Sequence, residues 1–232
     1  MKPLLLSCLT ATALLSHSLA ATLTEEFTVT PNLAVPDGST VGVSSTQNFA
    51  SAILFITEVR VTLTLAGTPG VGDAFNGDIY AYVTHGAGFA VLLNRTGRTA
   101  SDDAGYADSG FAVTFADTPA GNDIHNYRLF APITSGPLTG VWGSDGRNVN
   151  PASVLDTTPR TASLTNLNGL DANGAWTVFV ADVSPTGTAK LASYRIQVTG
   201  DTVPEPASLL LALCGSSVAL LTRRRRWAGA DE

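Results

Sequence analysis

From Glu58 to Leu65 the chain reads E-V-R-V-T-L-T-L, a run in which every second side chain is apolar. A strand puts Val59, Val61, Leu63 and Leu65 on one face and charged or hydroxyl side chains on the other. Such a strand needs one buried and one wet face, the condition of an antiparallel sheet packed on a second layer. Shorter segments predict further strands over Glu26–Thr30, Ile79–Thr84, Ala90–Asn94, Phe111–Phe115, Trp176–Ala181 and Leu191–Thr199. Turn-forming clusters separate them, among them Pro36-Asp37-Gly38, Asn76-Gly77, Asn168-Gly169, Asn173-Gly174 and Pro185-Thr186-Gly187. Short alternating strands with frequent turns predict an all-β antiparallel sandwich. No helical period of useful length and no internal repeat competes with that reading. The stretch 121–161, rich in proline, glycine and asparagine, reads either as a large surface loop or as a stretch that contains short edge strands.

The two ends of the chain differ from this body. Lys2, an apolar run from Pro3 to Leu15 and the small residues of Ser18-Leu19-Ala20 stand in the order of a secretory signal peptide, residues 1–20. At the other end Val203-Pro204-Glu205-Pro206 precedes an apolar run of 16 residues, 207–222, and then Arg223, Arg224, Arg225 and Arg226. As a helix that run would extend only ~24 Å against roughly 30 Å of hydrocarbon. The four arginines resist translocation and so act as a stop-transfer element, with their stems and Trp227 reaching the interface. Pro204 and Pro206 lack backbone donors and disfavour helix just before them, which keeps the motif extended at the membrane surface.

This ordered tail, residues 203–232, resembles the PEP-CTERM sorting signal of Gram-negative envelope proteins. The resemblance implies a membrane-embedded exosortase that recognises the motif and removes the tail. The protein would then be exported, anchored at first in the inner membrane through residues 207–222, and later found at the cell surface or in the extracellular matrix.

Between the two segments lie residues 21–202, the size of one domain. The whole chain has 13 Lys and Arg against 19 Asp and Glu. Setting aside Lys2, Arg223 to Arg226, Glu205, Asp231 and Glu232 leaves 8 against 16, a net charge of −8 on the body. That acidity argues against nucleic acid as a partner and is compatible with divalent cations. Cys8 and Cys214 both fall in the end segments, so no disulfide holds the body.

Several pieces of the body together resemble the P domain, or P/Homo B domain, of the proprotein convertase type. Val59 to Leu65 and Asn76-Gly77-Asp78-Ile79 are similar to the family's strand and its Gly-Asp-Leu turn, with Ile79 in place of leucine. Asn94-Arg95-Thr96-Gly97 and Phe115-Ala116-Asp117 match its Asn-Arg-Thr-Gly and Phe-Asp-Asp regions, with Ala116 for the first aspartate. The run from Leu164 to Val178, with Asn168-Gly169, Asn173-Gly174 and Trp176, then Asp182 and Leu191 to Ile196, is the most specific part. The resemblance implies a jelly-roll sandwich; Trp176, among residues that alternate as a strand, reads as core.

In convertases the catalytic Asp, His and Ser belong to a separate subtilisin-like domain, so the resemblance transfers no proteolysis. The body's histidines are His85 and His125, and there is no Gly-x-Ser-x-Gly elbow. Asp108-Ser109 beside these two histidines is a combination of the kind that arises by chance in most chains. Calcium fits the supply of oxygen ligands near turns, and the resemblance places it at Asp78, Asp117 and Asp182; the alternative is a solvated acidic face. Asn94-Arg95-Thr96 has the form of a glycosylation sequon and reads as a turn. The expectation is a non-catalytic binding or structural module, with extracellular polysaccharide as a candidate partner. The alternative is an accessory domain that stabilises or targets a separately encoded subtilisin-like serine protease.

Overall fold

Alternation governs the architecture of the computed structural model, which describes residues 21–67, 73–117, 122–131 and 136–202. Residues 1–20, read above as a signal peptide, and the tail read as a sorting signal, with Val203 to Pro206, the apolar run and the four arginines, lie outside the described residues. Ten strands follow in order: Thr22–Val29 (β1), Leu33–Val35 (β2), Ser39–Phe49 (β3), Ile53–Gly67 (β4), Ile79–His85 (β5), Gly88–Asn94 (β6), Phe111–Ala116 (β7), Leu138–Trp142 (β8), Gly174–Asp182 (β9) and Ala189–Thr202 (β10). One sheet runs β1-β10-β4-β7-β8, with β2 also pairing β10; the other runs β3-β9-β5-β6. The pairing is antiparallel except for β7 and β8, which run parallel from Phe111↔Leu138 to Phe115↔Trp142.

The inner faces of both sheets supply the core. Val59, Val61, Leu63 and Leu65 of β4, as their spacing predicts, are buried beside Ile196 and Val198 of β10 and opposite Ala81, Val83, Val178 and Val180 of the second sheet. Each such side chain taken from water contributes about 1.5–3 kcal/mol before chain entropy is set against it. The Tyr194 hydroxyl, on β10, donates to the Ser45 carbonyl on β3 at 3.2 Å and so ties the two sheets together. Trp176 is fully buried; its indole N–H donates to the Ala172 carbonyl, and its ring stacks on His85 with centroids 4.0 Å apart. That is the core position expected of it. Among the described residues no helix is long and apolar enough to cross a membrane.

Within 121–161 the described residues form the edge strand β8 and a 3-10 segment, Ile124–Leu129, and the segment after β8 folds back over β6. Main-chain bonds from Asp145 and Gly146 to Leu92 and Val91, and from Val91 to Ala162, fasten it there. The reading that it contains short edge strands is met by β8, at the edge of its sheet, while the loop that follows is bonded onto β6.

Candidate functional site

The inward parity of β9 runs Trp176, Val178, Val180 and then Asp182, so a carboxylate occupies the last core position of a central strand. Asp182 pairs in register with Ser39 of β3 and with Ile79 of β5. The residue before Ile79 is Asp78, which closes the 3-10 turn Asn76–Asp78; its carbonyl accepts the Val183 N–H at 2.8 Å. The sheet register therefore brings two acids together that lie far apart in sequence. Asp182 is 1% exposed and Asp78 7%.

Neither carboxylate oxygen of Asp182 has a hydrogen-bond partner. Burial pushes the acid up to about 7, and the charges of Asp78 and Asp37 add to the shift; the Ser184 N–H eases it without closing a hydrogen bond of good geometry. Burial also raises Asp78, against the Arg95 guanidinium 3.9 Å away. The Asn76 side-chain oxygen in the same turn is buried and unpartnered as well. A pocket of about 210 Å³ opens beside Asp78, lined also by Tyr106, Ser184 and Thr186.

This arrangement can be neutralised in two ways: a proton on Asp182, or a cation. Hard oxygen donors suit calcium, and the orphaned oxygens of Asp182 and Asn76 fit such a group. Among the described residues no three His, Cys, Asp or Glu side chains converge closely enough to hold an ion. An ion at the pair would have to complete its shell with amide, main-chain or water oxygens.

Asp117 does not join them. One of its oxygens accepts the Ser144 N–H at 2.8 Å, the other the Ser144 hydroxyl at 2.6 Å and the Leu164 N–H at 2.7 Å. Its carboxylate staples the end of β7 to two loops, and its donors are spent without a metal.

The Asn94-Arg95-Thr96-Gly97 turn is likewise a clamp. The Asn94 amide, fully buried, donates to the Arg147 and Val149 carbonyls. Arg95 donates to the Gly77 and Asp103 carbonyls, and the Thr96 hydroxyl to that of Asn76. Gly97 has φ +80° and lies under the Tyr106 ring, where a Cβ would meet a ring carbon at 2.3 Å.

Sequence spacing gave no sign of a buried ionic network inside 121–161. Asp145 is fully buried between His125, whose Nδ1 lies 2.9 Å from its Oδ2, and Arg147, 3.2 Å from its Oδ1. Arg147 also reaches Asp123 at 2.7 Å and the Asp156 carbonyl at 2.8 Å. Burial opposes the charge on Asp123, yet hydrogen bonds from Arg147 win and hold its carboxyl below the usual range.

Asp108, Ser109 and a histidine are not assembled into a triad. Asp108 accepts from the Tyr127 hydroxyl at 2.6 Å and from Arg128 at 2.7 Å. The ring nitrogens of His125 face Asp145 and the Arg98 carbonyl, and those of His85 face the Ala175 and Asp171 carbonyls.

No family model matches this sequence, and no curated relative matches it. Among solved structures, the chain is similar to one in the complex of the Aeromonas sobria serine protease with its chaperone ORF2, at 15% identity and a TM-score of 0.41. It is also similar to the serine protease of Aeromonas sobria alone, at 13% identity and a TM-score of 0.43. The matches cover 80% and 78% of this chain but only 28% of each of those chains.

Proposed function

We propose that the chain is an exported, non-catalytic β-sandwich binding module of the P-domain type, delivered to the cell envelope or extracellular matrix by an exosortase-type system. The observation that carries the binding reading is the fate of its reactive side chains. His85, His125, Asp108, Asp117, Asp123 and Asp145 are all engaged in bonds that brace the fold. The export reading draws its support from the order of the sequence elements at the two ends. Calcium at Asp78 and Asp182 belongs to the same proposal: it would neutralise the acid pair and lock β5 against β9.

The second reading, an accessory domain for a separately encoded subtilisin-like protease, is favoured by large apolar side chains in the open. Leu129 is 77% exposed, Phe130 52% and Val141 59%. Affinity purification of the tagged protein from its host's surface fraction separates the two. Extracellular polysaccharide without a protease supports the first reading, and a stoichiometric subtilisin-like protease supports the second.

A further inference from the structure

The outer face of a sandwich sheet is normally polar, and most of the β3-β9-β5-β6 face follows that rule with Ser44, Thr46, Thr84 and Thr177. One part does not. Tyr80 and Tyr82 of β5, Phe179 of β9 and Phe89 of β6 gather there, each only half-buried. Tyr82 stacks on Phe179 with centroids 4.6 Å apart, meets Phe89 at 5.2 Å and Tyr80 at 5.9 Å. Phe179 lies in turn over Gly42, where a Cβ would meet the ring at 2.5 Å, so the absence of a side chain on β3 seats the ring.

Beside these rings the segment Asn148–Pro151 rises as a wall, pinned by the Asn94 amide through Arg147 and Val149. Rings and wall enclose an open groove of about 640 Å³, lined by Tyr80, Tyr82, Phe179, Asn148, Asn150 and Thr40 and completed by Val149, Pro151 and Val183. Its size falls within the range of ligand sites, roughly 300–1,000 Å³. In a body of net charge −8, not one of these lining residues is charged. Among the described residues the Tyr80 and Tyr82 hydroxyls and the Asn148 amide are in no hydrogen bond, and Asn150 uses only its side-chain oxygen, toward the Ala152 N–H. Phenols and amides that both donate and accept match hydroxyl groups, which do the same, while aromatic surface suits the C–H faces of a sugar ring. Charged polymers find no counter-charge here.

We propose that this groove binds a neutral polysaccharide chain. The inference rests on the binding-module reading and names the ligand class of that module. Affinity electrophoresis of the purified full chain, in gels containing hydroxyethylcellulose, galactomannan, xyloglucan, dextran or alginate, tests it. At least one neutral polymer is expected to retard the protein, and alginate is not. Tyr82→Ala with Phe179→Ala should weaken retardation about tenfold or more, the loss of two aromatic contacts. Because that variant alters packing, Asn148→Ala, at an exposed position, serves as the second; it should weaken retardation with an unchanged melting curve. No retardation by any neutral polymer, retardation by alginate alone, or retardation of Asn148→Ala and of the double variant that equals that of the wild type overturns the proposal. Failure here leaves the module reading intact, since that reading falls on a copurifying protease or on peptidase activity rather than on the groove.

Discussion

Replacing Asp182 with asparagine removes one ionisable group from a core position and keeps its shape, so its effect on stability follows from the acid's environment. In an unfolded chain this carboxyl titrates near 3.8, and in the fold it is pushed up to about 7. The folded protein thus holds a proton that the unfolded chain releases. Stability from Asp182 is fully present below about pH 4, is lost as pH rises through about 7, and levels off above that. Some 3 pH units at 1.36 kcal/mol each give a loss of roughly 4 kcal/mol as an upper limit, less where water or Arg95 relaxes toward the charge. Urea unfolding followed by tryptophan fluorescence, with chelator present, should show the wild-type free energy falling by about 1–3 kcal/mol between pH 5 and pH 8 relative to Asp182→Asn, since only the two units from pH 5 to about 7 fall in that window. For a domain of this size the same difference moves the melting temperature by about 2–4 °C per kcal/mol. Taking the difference between the two proteins cancels other titrations, including those of Asp108 and Asp123, whose depressed values place their losses at more acid pH. Parallel pH profiles, or a wild type that gains on the variant toward pH 8, would refute the description of Asp182 as a buried, unpartnered acid.

Calcium in hundredfold excess over its dissociation constant should stabilise the wild type by about 2.7 kcal/mol at pH 8. Differential scanning fluorimetry should find that gain lost in Asp78→Asn and Asp182→Asn but retained in Asp117→Asn, which lowers the baseline melting temperature instead. Arg147→Ala should cost about 3–5 kcal/mol in urea unfolding, because it leaves the buried Asp145 and the half-buried Asp123 without their cation, and Arg147→Lys should recover only part of it. Pro204→Ala with Glu205→Ala should leave export intact and trap the uncleaved protein in the membrane; equal release on immunoblots of cell fractions would contradict the sorting proposal.

What the sequence disclosed depended on how locally each feature is encoded. Seven strands stand where alternation puts them, because in β4, β5 and β9 every second side chain faces one continuous core. β3 escaped notice since S-T-V-G-V-S-S-T-Q-N-F is mostly hydroxyl and amide, and β8 since Thr139, Gly140 and Val141 are exposed in succession. β2 has only three residues. The inward parity of Asp182 was visible in W-T-V-F-V-A-D, but its neighbour Asp78 is fixed by a register between strands about a hundred residues apart. The groove left a trace in I-Y-A-Y-V, where both faces of β5 are apolar or aromatic. The His125–Asp145–Arg147–Asp123 network left none, since no period governs residues whose contacts are made across loops.

The claim that this sandwich binds and does not catalyse is tested most directly by incubating the purified protein with casein and with fluorogenic peptides. The account predicts no cleavage above buffer, with or without calcium. Peptidase activity that copurifies with the protein and disappears in Ser109→Ala would contradict it.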